Sequence, residues 1–148
     1  MTDETKLADP RDFLPHQPFV NELGMEIVSC EPGEVVVEMP FDKRFSTPPA
    51  SFPASIVGAL GDVAAVSSCL SKLPAGWATA TLDFTIKMTG PASGKSLVAR
   101  GRTLQSGKTT SVGTADVFCS TDNGEVHCAT VLATTRNFQI KPATRQQD

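Results

Sequence analysis

The hydrophobic pattern of this chain changes period twice, and each change marks a change of element. Met25–Cys30 and Glu34–Phe41 flank the turn sequence Glu31-Pro32-Gly33-Glu34 and largely alternate apolar with polar positions. That is the period expected of half-buried strands. From Ser51 to Lys72 the alternation disappears. Residues three and four apart fall on common faces, and the run predicts one long helix. Ser51 is the expected N-cap and Pro53 suits the first turn. Pro74 and Gly76 stop the helix. Beyond them, alternation returns. Thr79–Met88 places Leu82, Phe84, Ile86 and Met88 on one face, with Thr79, Thr81, Asp83, Thr85 and Lys87 on the other. Ser96–Gln105, Thr109–Thr121 and Glu125–Phe138 follow, joined by the hairpin signals Ser106-Gly107-Lys108 and Asp122-Asn123-Gly124. A short helix is expected over Pro15–Leu23, ended by Gly24.

This order, two strands, a long helix and then further strands, predicts an α+β fold. About six antiparallel strands would wrap around one central helix. Such a sheet buries the helix on most sides, which accounts for a helix without a polar face. The expected boundaries are one domain over residues 12–140, with 1–11 and 141–148 as frayed tails.

One charge breaks the helix pattern. Between Arg44 and Lys72 the only charged side chain is Asp62. Burying a lone carboxylate is costly unless it is paired or hydrogen-bonded, so Asp62 is the first candidate for chemistry. It shares a face with Ser55, Gly58, Ala59, Ala65, Val66 and Cys69. The opposite face carries Ile56, Val57, Leu60, Val63 and Ala64. The bulky side is expected to pack on the sheet, leaving room beside the acid. Gly58 and Gly61 each cost about 1 kcal/mol against Ala in a helix interior. Close approach of a ligand, of a second subunit or of another element would explain them.

Composition removes several function classes. Thirteen Lys and Arg against sixteen Asp and Glu give a net charge of −3, which argues against nonspecific nucleic-acid or membrane binding. No apolar run is long enough to span a bilayer, and no signal peptide is evident. Cys30, Cys69, Cys119 and Cys128 lack CxxC spacing and His16 and His127 lie far apart. No metal site is expected, and the thiols read as reduced, mostly buried core residues of a cytoplasmic protein. Neither histidine has a partner in obvious reach, so neither is expected to be catalytic.

An ordered set of short segments then carries a resemblance. Pro18-Phe19, Leu23-Gly24-Met25, Gly33-Glu34-Val35-Val36-Val37, Ala59-Leu60-Gly61-Asp62-Val63-Ala64, Thr81-Leu82-Asp83-Phe84-Thr85-Ile86, Gly90-Pro91-Ala92, Ser106-Gly107-Lys108, Gly124-Glu125-Val126 and Ala129-Thr130 together resemble the hotdog-fold acyl-CoA thioesterases of the PaaI-like branch. The resemblance implies a hotdog fold and hydrolysis of a medium-chain or aromatic acyl-CoA to free acid and CoA. It implies no bound cofactor and a homodimer or homotetramer. It places the catalytic carboxylate on Asp62, a carbonyl-polarising helix amide at Ala54 or Ser55, and a supporting hydroxyl on Thr81. The usual His-Gly-Gly at the helix start falls on Pro53-Ala54-Ser55, and the usual upstream Asn falls near Thr47.

Arg102 and Lys108 are candidates for the CoA phosphates, with backbone amides at Gly107, and Trp77 and Phe84 for an acyl tunnel. Ala54 and Asp62 lie some 10 Å apart on one helix by the standard rise, so the resemblance implies amide and acid from opposite subunits. The alternative reading is a non-catalytic acyl-CoA-binding protein of the same fold. A hotdog hydratase is weaker, because the helix region contains no His.

Overall fold

A computed structural model of the protein describes residues 6–141. Six strands form one antiparallel sheet: β1 (Glu26–Glu31), β2 (Glu34–Pro40), β3 (Trp77–Met88), β4 (Ser96–Ser106), β5 (Thr110–Thr121) and β6 (Gly124–Gln139). Their spatial order is β1-β2-β4-β5-β6-β3, so β1 and β3 are the edges. A short helix α1 (Pro18–Glu22) precedes β1, and the long helix α2 (Ala54–Leu70) packs across the sheet. This is the α+β hotdog arrangement the sequence predicts. The chain turns into β1 through Gly24 and from β1 to β2 through Gly33, at φ 70 and φ 84, a region where glycine carries no Cβ penalty.

The faces of α2 divide largely as expected: the bulky side supplies core residues, and Asp62 lies on the open side with Ser55, Ala59 and Val66. Gly58, Ala65 and Cys69, expected beside the acid, are buried as well. A Cβ on Gly61 would stand 2.4 Å from Val131 Cγ2, and one on Gly58 would stand 3.3 Å from Phe84 Cε2. The sheet yields space in return: a Cβ on Gly101 of β4 would stand 2.2 Å from the Ala64 carbonyl oxygen, and one on Gly113 of β5 would stand 2.7 Å from that of Ala65. At Gly61, Gly101 and Gly113 helix and sheet approach too closely for a side chain, while at Gly58 a Cβ would only press on the tips of Phe84 and Ile86. The glycines are thereby explained by packing, without a ligand. Val57, Leu60 and Ala64 are fully buried, while Ile56 and Val63 are only half-buried on the open side.

Three further expectations are corrected. Ser51 does not cap α2. Its N–H donates to the Thr47 carbonyl (2.9 Å) and its hydroxyl meets that of Ser93 (3.0 Å), while Pro53 occupies the N-cap without a side-chain bond. Buried Phe52, whose N–H bonds the Ala92 carbonyl at 2.8 Å, holds the chain extended for two more residues. Residues 6–11 are not frayed. The Ala8 N–H bonds the Leu73 carbonyl at 2.8 Å, the Ala75 N–H bonds that of Lys6 at 2.7 Å, and Ala8 packs with Leu70 and Leu73. Residues 1–5 and 142–148 of the expected tails lie outside the described residues. Third, β3 does not alternate cleanly. Thr81 pairs with Thr135 and Asp83 with Thr134, so Leu82 is an extra residue in a bulge.

Candidate active site

The bulge in β3 decides what faces Asp62. An inserted residue reverses the facing of everything after it. Thr79 and Thr81 therefore share the helix-facing side with Phe84 and Ile86, instead of opposing them. The result is that Thr81 Oγ1 donates to Asp62 Oδ1 at 2.9 Å. Asp62 is half-buried at the border of the open side of α2, between the sheet-packed Gly61 and half-buried Val63. It lines a cavity of about 220 Å³ with Leu14, Gln17, Val66, Ser67 and Thr79. The carboxylate is neither fully solvated nor sealed from an entry path.

Burial pushes the Asp62 carboxyl above its ordinary value of 3.8, and the Thr81 bond partly opposes that rise. Desolvation disfavours the charged form, whereas a donated hydrogen bond favours it. Thr81→Val removes only the bond that opposes the rise. Its expected result is a further upward shift of the Asp62 titration, read by carboxyl-carbon NMR as a function of pH. An unchanged midpoint would show that the bond carries no weight.

At the other end of the helix, Pro53 is extended (φ −61, ψ 150), and its carbonyl accepts the N–H groups of Ile56 and Val57, each at 3.0 Å. The N–H groups of Ala54 and Ser55 have no partner among the described residues, as the first turn of a helix dictates. Both residues are exposed. Two unpaired amides thus stand at the positive, exposed end of the helix whose open side carries Asp62. Ser55, Ala59, Asp62 and Val66 form that stripe.

The remaining candidates are not gathered with Asp62 in the same way. Gly101 packs on the helix, so its neighbour Arg102 stands on the opposite, outer face of the sheet and is exposed. The Gly107 amide is not open to a phosphate. Its N–H donates to the Thr110 carbonyl at 2.9 Å, and the missing side chain is what lets that turn close, since a Cβ would meet the same oxygen at 2.5 Å. Lys108 is exposed on this hairpin. Trp77 packs with the Ala8, Leu70 and Leu73 cluster, and Phe84 packs on Gly58, so neither borders the Asp62 cavity. His127 lies on the outer face, where its ring contacts Thr89 Oγ1 (2.6 Å) and Asp116 Oδ1 (3.0 Å). Thr47 bridges Ser51.

Sequence reasoning missed Asn137. This nearly buried side chain donates through Nδ2 to the Gly107 carbonyl (2.9 Å) and to Ser111 Oγ (3.0 Å), and its Oδ1 accepts from Thr79 Oγ1 (2.8 Å). It ties the Lys108 hairpin to the wall of the Asp62 cavity. Its signal was present: an amide among the inward positions of an otherwise apolar alternation. Gln17 and Ser67, the other polar walls, carried none.

All four cysteines are free thiols, and Cys69, Cys119 and Cys128 are buried. Burial pushes the Cys128 thiol to about 11, so it stays protonated and inert near neutrality. Among the described residues no His, Cys, Asp and Glu group is arranged to hold a metal, and no helix is long and apolar enough to cross a membrane.

Solved structures extend the picture. A thioesterase family protein from Silicibacter pomeroyi is 28% identical, with 88% of this chain and 96% of that chain covered at a TM-score of 0.85. A thioesterase from Haemophilus influenzae is 18% identical, over 95% and 98%, with a TM-score of 0.79. The Escherichia coli PaaI protein from the phenylacetic acid degradation operon is 20% identical, over 90% and 94%, with a TM-score of 0.77. No protein-family model matches the chain, and no curated protein matches it. The structural neighbours are thus thioesterase-superfamily hotdog proteins.

Proposed function

We propose that this protein hydrolyses acyl-CoA thioesters, with Asp62 as the general base. The observation that carries the reading is a half-buried carboxylate, raised in pKa and held by Thr81, at the wall of a cavity on a thioesterase fold. Asp62 takes a proton from a water whose oxygen attacks the thioester carbonyl. The oxyanion forms on the Ala54 and Ser55 amides, where well-placed donors contribute ~3–4 kcal/mol. Collapse breaks the carbon–sulfur bond, and the Asp62 proton passes to the departing thiolate. A pKa raised toward the working pH suits a base better than a nucleophile. Lys108, beyond Thr79 and Asn137, is the candidate for the CoA phosphates, with Gly107 shaping its turn.

Within one chain the two amides stand about 10 Å from Asp62 along α2, too far for one carbonyl carbon to be served by both. A homodimer removes the difficulty. If two copies of α2 run antiparallel about an axis near Gly58 and Ala59, Ala54 and Ser55 of each face Asp62 of the other. The open stripe of α2 and the unpaired edge of β3, with Phe84 and Met88 40% and 43% exposed, supply the contact.

The test has two arms. Free thiol is followed with a panel of acyl-CoAs; saturable binding without release of CoA would establish the binding-protein alternative, which the Pro53-Ala54-Ser55 start favours. Then Ser55→Pro, a change tolerated in a first turn but lacking the amide, is mixed with Asp62→Asn. Each variant alone should be inactive, and mixed dimers should regain activity at one site. No recovery on mixing would show that acid and amide do not come from opposite chains.

A further inference from the structure

We infer that the acyl group enters an apolar groove at the start of α2, and that the cavity beside Asp62 takes the polar arm of the substrate instead. The groove, about 440 Å³, is lined by Pro18, Phe19, Leu23, Phe45 and Ile56, with Glu22 at its rim. The inference rests on the thioesterase reading, and it assigns the two halves of the substrate to two places.

Three observations carry it. First, the groove adjoins the proposed oxyanion site: Ile56 follows Ser55 directly, so a carbonyl held by the Ala54 and Ser55 amides delivers its chain to this wall. Second, the two cavities differ in chemistry. The Asp62 cavity presents Gln17, Ser67, Thr79 and Thr81, and its polar wall continues through Asn137 to the Lys108 hairpin. Amide and hydroxyl groups of the substrate find partners there, whereas a hydrocarbon chain would leave those groups unpaired. The groove offers a chain no such penalty. Third, Phe19 is 53% exposed at the groove wall and Phe45 is half-buried. Beside a concavity within the 300–1,000 Å³ range common for ligands, such rings form a binding wall. The Arg44 guanidinium stacks on Phe45 at 4.9 Å and bonds Glu22 Oε1 at 2.8 Å, which fixes the ring and closes the outer rim. The substrate class that fits is a thioester of an unbranched or ring-bearing hydrocarbon acid without a polar tail.

The experiment compares acetyl-, butanoyl-, hexanoyl- and octanoyl-CoA. The expected kcat/KM rises about fourfold per methylene that enters the groove. Phe19→Ala, a change at an exposed side chain, should lower the octanoyl-to-acetyl ratio at least tenfold. A ratio unmoved by Phe19→Ala overturns the assignment. A wild type that hydrolyses none of the four defeats the thioesterase reading, and the groove is then judged separately by titrating S-octyl-CoA, a thioether that cannot be hydrolysed. A shift of the Ile56 δ-methyl NMR signal with S-octyl-CoA and not with CoA places the chain in the groove; its absence removes the chain from it.

Discussion

Asp62→Asn should lower kcat/KM for acyl-CoA by at least about 100-fold, in the range by which a positioned base accelerates a reaction, and should at the same time make the protein more stable. Both outcomes have one cause. The cavity wall desolvates the carboxylate and raises its pKa above 3.8. The folded state therefore holds this proton to higher pH than the unfolded chain does. Stability contributed by the protonated form is present at low pH and is lost as pH rises from the unfolded value through the folded one. At neutral pH the ionised group is a net burden on the fold. Asparagine keeps an oxygen for the Thr81 hydroxyl and carries no charge to desolvate, so its melting temperature should exceed that of the wild type at neutral pH. That advantage should shrink on acidification. The wild-type rate should fall on the acid side with a midpoint above the ordinary carboxylate value, since the base must be ionised. Equal rates for wild type and variant would remove Asp62 from the mechanism. A variant less stable at neutral pH would show that the carboxylate is structural.

Gly101→Ala is expected to be the most damaging small substitution outside the site. The added carbon would stand 2.2 Å from the Ala64 carbonyl oxygen, 2.4 Å from its carbon and 3.0 Å from the Ala65 nitrogen. These are backbone atoms in the middle of a helix, and no side-chain rotation relieves them. α2 and β4 must separate. Overpacking of a core typically costs ~1–3 kcal/mol when side chains can adjust, so the cost here should exceed about 3 kcal/mol, a large part of an ordinary domain's stability. The urea midpoint should fall accordingly. Gly76→Ala is the control. Gly76 has φ +87 and open space around it, so only the left-handed backbone is penalised, by roughly 1–2 kcal/mol. Because Ala64 lies two residues from Asp62, Gly101→Ala should also disturb the Thr81 contact and depress activity beyond the loss of folded protein. A Gly101→Ala protein as stable as Gly76→Ala would show that the helix does not lie where the sheet glycines place it.

Much of this was readable before any coordinates. The change from period two to period 3.6 and back located β1, β2, α2 and the strands after it. The lone charge in α2 singled out Asp62, and the resemblance placed beside it the hydroxyl of Thr81, which bonds it at 2.9 Å. The misreadings share a form. Ser51 has the chemistry of an N-cap but lies where Phe52 must still be buried. Gly107 reads as an open amide, yet its N–H closes its own turn. In each case residue type was judged without the partner that long-range packing brings to it.

Local pattern by itself determined which residues lie along one side of each element, because periodicity follows from backbone geometry alone. It also pointed to the side of α2 that packs, where Val57, Leu60 and Ala64 are buried, but not to how closely helix and sheet approach. That distance belongs to the tertiary structure. Backbone can approach backbone only where Gly101 and Gly113 leave no side chain against the Ala64 and Ala65 carbonyls, and that contact turns Asp62 to the cavity. The bulge at Leu82 then brings Thr81 and Phe84 to the same side, because one inserted residue reverses the strand's facing.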